Sequence, residues 1–309
     1  MEFSPVDQVV KLWELLNKII TRSTSFTDGD YSILCVEIGH MRSKAALLKF
    51  KIQEHRLQSL KIDEPQNKNS EEFFGENNFE NFLSWLNEWI ENQSINGLAL
   101  SLGCQVYNKT ATTPKYWEWP EELSRIIHDK LGISNILLLN DAVSFAFNCL
   151  NQKKLKKPIL CLTLGGGIGC AVITKKTPYI LPFEGEVIAR KWPNGFEGNI
   201  HILAGQPFFN WIEKEHPDYN QTQKNKLYTE RIYWIIDSLK EKLQFQSVIL
   251  GGGRTSSIDE LQLQQYLQGK IYKIKIREGI KPALLGVGQA WIERFVYEQS
   301  ITDLVRRLD

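Results

Sequence analysis

Residues 158–174 read PILCLTLGGGIGCAVIT: an apolar run, a glycine cluster and a second apolar run. Cys161, Leu162 and Leu164 before the cluster, and Cys170, Ala171, Val172 and Ile173 after it, have the short apolar pattern of buried strands. Between them Gly165, Gly166, Gly167 and Gly169 surround a single isoleucine. Glycine permits positive φ and close backbone approach, so successive N–H groups can converge on an anion. Two readings stay open: a hairpin with a glycine-rich bulge, or the same hairpin working as a phosphate cradle. Both predict strand, turn, strand at the start of a second α/β half.

Three other stretches share this punctuation. SILCVEIGHMRSKAALLKF (32–50) predicts an earlier hairpin, its first strand ending on Glu37 and Gly39 in the turn. An acid at a strand end followed by glycine suits a turn that holds a phosphate or a metal; Met41 in that turn argues against it. LLLNDAVSFAF (137–147) puts Asn140-Asp141 where a buried strand meets a helix. Asp141 there is either the helix N-cap or a general base with Asn140 orienting the substrate. SVILGGGRTSS (247–257) is a strand ending in glycines, the place where open α/β sheets leave room for ligands. It is neither a Walker P-loop nor a GxGxxG fingerprint.

The 309 residues are 42% hydrophobic and 24% charged, which predicts a packed core in one large or two ordinary domains. A formal net charge of +1 gives no electrostatic case for nucleic acid or an anionic membrane as the main partner. KKLKK (153–157) reads as a solvated face. The five cysteines lie far apart, with no CxxC and no zinc spacing. Buried reduced thiols, no structural zinc and a cytoplasmic location are expected. The chain opens without a basic-then-apolar leader, and no apolar stretch approaches membrane-spanning length.

Periodicity predicts an amphipathic helix over 5–22 followed by a linker. Strands follow at 32–38, 43–50 and 52–62, then a polar loop, a helix near 76–92, the buried strand GLALSLG, a helix over about 119–131 and the strand NILLLN. After the glycine hairpin come an extended TPYILPF, helices at 206–216 and 222–244, the strand SVIL, a short helix, the strand KIYKIKI and a last helix from Pro282 to about Tyr297. Each half thus begins with a hairpin and then alternates helices with strands, a layout of two related α/β lobes. The aromatic stretch YWEWP (116–120) and the N-terminal helix offer a surface for a homodimer, although packing within the chain is the simpler account.

The order of the pieces carries more than any one of them. An acid–glycine hairpin at 37, Asn-Asp at 140, a glycine hairpin at 165 and strand-GGG at 251 resemble the sugar-kinase branch of the actin/hexokinase/Hsp70 superfamily. More narrowly, the chain is similar to the ROK group (repressors, uncharacterised reading frames and kinases) and bacterial glucokinases over roughly residues 31–296. KPALLGVGQAW (281–291) resembles the family's last helix, and WPEELSRIIHDKLGISNILLLNDA (119–142) its path into Asn-Asp.

The resemblance implies an α/β, two-lobed actin/hexokinase-like (ribonuclease H-like) fold with an extra N-terminal helix. Its domains would be 1–26 (helix and linker), 27–139 (N-terminal lobe, with 282–309 packed on it) and 140–281 (C-terminal lobe). It implies glucokinase-like phosphorylation of a sugar hydroxyl, dependent on ATP and Mg2+. Asp141 would be the general base, and Asn140, Glu186 and Glu197 would contact sugar. Gly39, Gly165, Gly166, Gly167 and Gly169 would hold phosphates, and Gly251, Gly252 and Gly253 would border the adenosine. Glu37 would act on magnesium through its water shell. The partners implied are a small sugar and a nucleotide.

The chain also departs from that pattern. The first hairpin of the family usually reads Asp-x-Gly-Gly-Thr; here it is EIGHM (37–41), with the acid one methylene longer and the hydroxyl gone at Met41. Gly166 replaces the threonine of Gly-Thr-Gly-x-Gly, and VIA (187–189) replaces Ile-Gly-His after Gly-Glu. Two lost hydrogen bonds to a charged acceptor cost about 3–6 kcal/mol, on the order of a hundred- to ten-thousand-fold in rate. His40, Arg42 or Lys44 could supply a replacement donor, although Arg42 and Lys44 read more simply as exposed turn cations. The alternative function is therefore a catalytically impaired ROK-like sugar- or nucleotide-binding regulator or scaffold.

Overall fold

The computed structural model describes residues 26–54, 56–75, 78–107, 110–112, 117–150, 154–173, 178–180, 190–193, 197–276 and 281–297. The expected helix at 5–22 and Glu186 lie outside them. The described chain falls into two compact units, one running up to Asn148 and resuming at Ala283, the other Cys149–Pro282. The division comes at the end of the helix that starts with Asp141, whereas the expected boundary lay at its start.

The first unit opens with β1 (Gly29–Ile38), β2 (Arg42–Gln53), β3 (Arg56–Ile62) and β4 (Gln66–Asn69). Then come α1 (Phe79–Asn92), β5 (Gly97–Leu102), the small hairpin β6 (Gln105–Tyr107) and β7 (Thr110–Thr112), α2 (Leu123–Leu131), β8 (Ile136–Asn140) and α3 (Asp141–Cys149). Its sheet runs β3-β2-β1-β5-β8, with β4 also on β2. The first three strands are antiparallel, and β5 and β8 add in parallel. Alternation along β1 splits the core: Leu34, Val36 and Ile38 face α1 and α2, while Ile33 and Cys35 face the C-terminal helix α8 (Lys281–Ile292).

The small residues of α8 have identifiable neighbours. A methyl on Gly286 would run into the Ser144 carbonyl of α3, and one on Gly288 into Leu48 and the Cys35 sulfur. Trp291 on the same helix buries its ring against Gly97 and donates Nε1–H to the Asn135 carbonyl at 2.9 Å. That tie locks α8 across the strands that lead into Asn140-Asp141.

The second unit repeats the plan with β9 (Ile159–Leu164), β10 (Ile168–Ile173), β11 (Pro178–Ile180), β14 (Ser247–Gly251) and β15 (Lys273–Ile276), in the order β11-β10-β9-β14-β15. Its hairpin β9–β10 is antiparallel, and β14 and β15 add in parallel, as β5 and β8 do in the first unit. Between β11 and β14 lie the short pair β12 (Arg190–Lys191) and β13 (Glu197–Gly198), then α4 (Ile200–Ala204), α5 (Gln206–Glu215) and α6 (Gln221–Leu243). A 3-10 turn (Thr255–Ser257) and α7 (Glu260–Tyr266) precede β15. Leu160, Leu162 and Leu164 of β9 pack on Phe208, Ile212, Tyr228, Ile232 and Ile235 of α5 and α6. A capping box of Asn220 and Gln223 starts α6.

Two elements differ from expectation. The polar loop after β3 contains β4, whose sequence QNKN has no apolar pattern; it forms because β2 presents an open edge. The β6–β7 hairpin is likewise too short to signal itself. Two tryptophans of YWEWP pack within the chain, the simpler account: Trp117 and Trp119 are buried, and Trp119 donates Nε1–H to the Phe73 carbonyl at 2.7 Å. All five cysteines are buried, and none forms a disulfide.

Candidate active site

In the first unit, β1 and β8 run in the same direction on either side of β5, with Glu37 next to last in β1 and Asn140 last in β8. Asn140, 1% exposed, is the cap of α3: its Oδ1 accepts N–H bonds from Ala142 at 3.0 Å and Val143 at 3.4 Å. Its Nδ2 donates to the Cys104 carbonyl at 3.1 Å. The capping role considered for Asp141 thus belongs to its neighbour. Asp141 is the first helical residue, and its Oδ1 accepts the Ala142 N–H at 2.7 Å.

Burial pushes the Asp141 carboxyl up from 3.8 to about 7; the nearby Glu37 carboxylate adds to the rise, and the Lys44 ammonium opposes it. These three groups therefore share one electrostatic neighbourhood. Glu37 and Lys44 are directly opposed across the β1–β2 ladder and form a 3.1 Å ion pair, both side chains 18% exposed. Lys44 is not the exposed turn cation that its position suggests, whereas Arg42 and Met41 at the tip are exposed. The turn itself is closed by the Gly39 N–H donating to the Arg42 carbonyl at 3.2 Å.

The donor set suits a hydrated magnesium. Glu37 offers hard carboxylate oxygens to the waters of such an ion, and Mg2+ in phosphoryl-transfer sites keeps several waters and takes one or two carboxylates plus phosphates. Among the described residues no three His, Cys, Asp or Glu side chains converge into a cage. An ion there would complete its shell with water and phosphate, and would compete with Lys44 for Glu37.

In the second unit, the β9–β10 turn is held from behind. The Gly165 N–H donates to the Gly167 carbonyl at 3.0 Å, and the Ile168 N–H to His201 Nδ1 at 2.9 Å. His201 therefore carries its proton on Nε2. A Cβ on Gly167 would stand 2.9 Å from that same Nδ1. The Gly166 carbonyl accepts the Gln206 N–H at 2.8 Å, and the Leu164 carbonyl accepts the Arg254 N–H at 3.0 Å. The N–H groups of Gly166 and Gly167 have no partner among the described residues. Gly252 needs its glycine: φ is +97°, and a methyl would strike the Leu164 backbone. The turn and the Gly251–Gly253 loop are thus adjacent, and Gly169 lies in the β10 ladder opposite Thr163.

Glu197 lies on the short β12–β13 pair, 63% exposed, with its carboxylate 2.9 Å from Lys191. Arg254 falls in the 251–254 stretch expected to line the cleft, whereas His201 and Gln206 are missing from the residues that the sequence suggested. His201 sits 33 residues from Ile168, and no spacing rule joins a helical histidine to a strand amide.

No protein-family model matches the chain, and no curated protein matches it by sequence. Solved structures do. A ROK family protein from Streptococcus pneumoniae TIGR4 in complex with sucrose aligns at TM-score 0.64 and 16% identity, over 85% of this chain and 98% of that one. A ROK family glucokinase from Streptomyces griseus in complex with glucose and AMPPNP aligns at 0.62 and 14%, over 84% and 98%. A ROK family transcriptional regulator, homologue of the E. coli MLC protein, aligns at 0.66 and 11%, over 87% and 80%. The chain has the actin/hexokinase-like α/β fold of ROK-family sugar kinases and regulators.

Proposed function

We propose that this protein phosphorylates a sugar hydroxyl, with ATP and Mg2+ as donor system and Asp141 as general base. The observation that carries the reading is the state of Asp141: a carboxyl at a strand–helix junction, raised to about 7 by burial and by Glu37. A base with that affinity for protons is matched to taking one from a hydroxyl near neutral pH. Asn140 holds Asp141 in place through the cap. Glu37 would hold the hydrated magnesium through its water shell, which when bound would offset phosphate charge and leave Asp141 free to take the proton. Gly166 and Gly167 offer two N–H donors for phosphate oxygens, and positioning with electrostatics is most of what phosphoryl transfer asks of a protein. Glu186 and Glu197 are the proposed sugar carboxylates, and the Gly251–Gly253 loop the proposed border of the adenosine.

Asp141→Asn keeps the size and the hydrogen bond to Ala142 but cannot take a proton. We expect sugar-dependent ADP release to fall by at least about a thousand-fold, with nucleotide affinity within about two-fold of the unchanged protein. Equal turnover in that variant would overturn the assignment. Transfer by the unchanged protein should rise with pH up to about 7 and level off above it, because only the carboxylate accepts a proton.

A second reading is a sugar- or nucleotide-binding regulator with the same fold. The Glu37–Lys44 pair favours it, because an internal ammonium already neutralises the acid proposed for magnesium. Thermal shifts with sugar and with Mg-ATP, but no ADP release across a sugar panel, would select it.

A further inference from the structure

The proposed kinase reading leaves one cation of the second unit unexplained. Arg254 follows the Gly251–Gly253 loop and is half-buried. Its guanidinium carbon lies 3.5 Å from the centroid of the Phe209 ring, so one face is covered. Nη2 donates to Gln206 Oε1 at 2.6 Å. Among the described residues no carboxylate pairs with it, and that single bond uses one of its five N–H groups. Burial pushes its pKa down, and the Tyr228 and Glu213 side chains in its neighbourhood oppose that only in part.

The same glutamine reaches the glycine turn: Gln206 donates its backbone N–H to the Gly166 carbonyl at 2.8 Å. Gln206 therefore bridges the Arg254 guanidinium to the turn whose Gly166 and Gly167 N–H groups have no partner among the described residues. The Arg254 backbone is fixed as well, by its bond to the Leu164 carbonyl at the entrance to the turn. Guanidinium and turn are held by one frame and both present donors without an acceptor. Arg231 shows the contrast. Only 5% exposed, it lies over Phe208 at 4.3 Å and donates to the Leu203 carbonyl, a cation closed into the core.

We propose that Arg254 is an anion-binding side chain of the glycine turn, which grips a phosphate group of the polyphosphate donor together with the N–H groups of Gly166 and Gly167. It supplies the charged donor that a turn of bare glycines lacks. The ligand chemistry is a linear polyphosphate chain, carried by a nucleoside triphosphate or free.

This proposal rests on the kinase-type reading of the turn, and its test separates the two. Affinities for adenosine, ADP, ATP and inorganic tripolyphosphate are measured by calorimetry on the full chain, for the unchanged protein, Arg254→Met and Arg254→Lys. Arg254→Met should weaken ATP and tripolyphosphate at least about ten-fold, as loss of a charged hydrogen bond does, and leave adenosine unchanged. Arg254→Lys should recover part of the loss. ATP bound with and without the substitution at equal affinity would overturn the role of Arg254 and leave the turn as a nucleotide site. An equal loss for adenosine would overturn it too, as the guanidinium would then stack on the base. If the unchanged protein binds neither ATP nor tripolyphosphate, the reading of the turn falls and the proposal with it. If Arg254→Met does not fold, Arg254→Lys carries the test: a point charge should cost tripolyphosphate several-fold and adenosine nothing.

Discussion

The two hairpins occupy equivalent places in the two sheets but are built on opposite principles. The β1–β2 turn carries its chemistry in side chains, an acid and an ammonium 3.1 Å apart, with an exposed tip tied by the Gly39–Arg42 bond and by the Ser70 N–H on the Met41 carbonyl. The β9–β10 turn has no side chain of its own and is locked from behind by His201, Gln206 and Arg254. A charged turn can be neutralised from within, whereas a bare turn can only be shaped by its supports. Substitutions in the first should therefore alter ion binding and titration, and substitutions behind the second should alter folding.

The sharpest contrast sets Gly252→Ala against Gly39→Ala. At Gly252 the alanine would meet both a left-handed backbone and the Leu164 carbonyl, with no flexible neighbour to give way. We expect a loss on the order of 2–4 kcal/mol in urea denaturation. At Gly39 the φ is ordinary and the nearest atom is the Arg42 carbonyl at 3.0 Å, in an exposed turn that can shift. About 1 kcal/mol or less is expected there. Equal losses at the two sites would break the distinction between a locked turn and a free one.

Asp141→Asn tests the charged side of the comparison through stability. The native carboxyl keeps its proton up to about pH 7, whereas an unfolded aspartate loses it near 3.8. The native state thus binds more protons across that window, and its stability falls as pH rises through it, then levels off above. Asparagine removes this penalty and keeps the bond to Ala142. The variant should be more stable at pH 8 by about 1–4 kcal/mol, and the gain should vanish near pH 4. A pH-independent difference would mean that burial does not raise the carboxyl.

How much of this was visible beforehand follows from range. The paired hairpins, the parallel strands after them and the α8 glycines were legible, because apolar runs and glycine punctuation are local signals. Asn140-Asp141 was legible as a strand–helix junction, but which of the two caps was not, since either side chain suits the position. β4 was hidden because an edge strand borrows its bonds from β2 and needs no apolar face. Lys44 read as a turn cation since the cross-strand register that sets it against Glu37 appears only in the ladder. The supports of the second turn were illegible for the same reason: they are contacts across long stretches of chain.

His201→Ala should cost less than the glycine change. It leaves the Ile168 N–H without its acceptor in a partly buried place, a penalty of about 1–3 kcal/mol. It also removes the ring against Gly167, so tripolyphosphate affinity should fall along with stability. His201→Asn, which can still offer an acceptor, should restore part of both. If neither variant changes either quantity, the turn is stiff without its support.

The smallest effect is expected at Lys44, where only charge changes. Lys44→Met removes the ammonium that competes for Glu37 and that opposes the rise of Asp141. Two results should follow in opposite senses for function. Mg2+ affinity of the nucleotide complex should tighten several-fold, on the order of 1 kcal/mol for a pair of this exposure. The pH midpoint of transfer should move above 7, because Asp141 would then face Glu37 without compensation. The two readouts are independent, one a titration of metal and the other a pH profile. Tighter metal binding with an unmoved midpoint would place Lys44 on Glu37 alone. An unmoved metal affinity would instead mean that Glu37 is not available to magnesium in either protein, and would favour the regulator over the kinase.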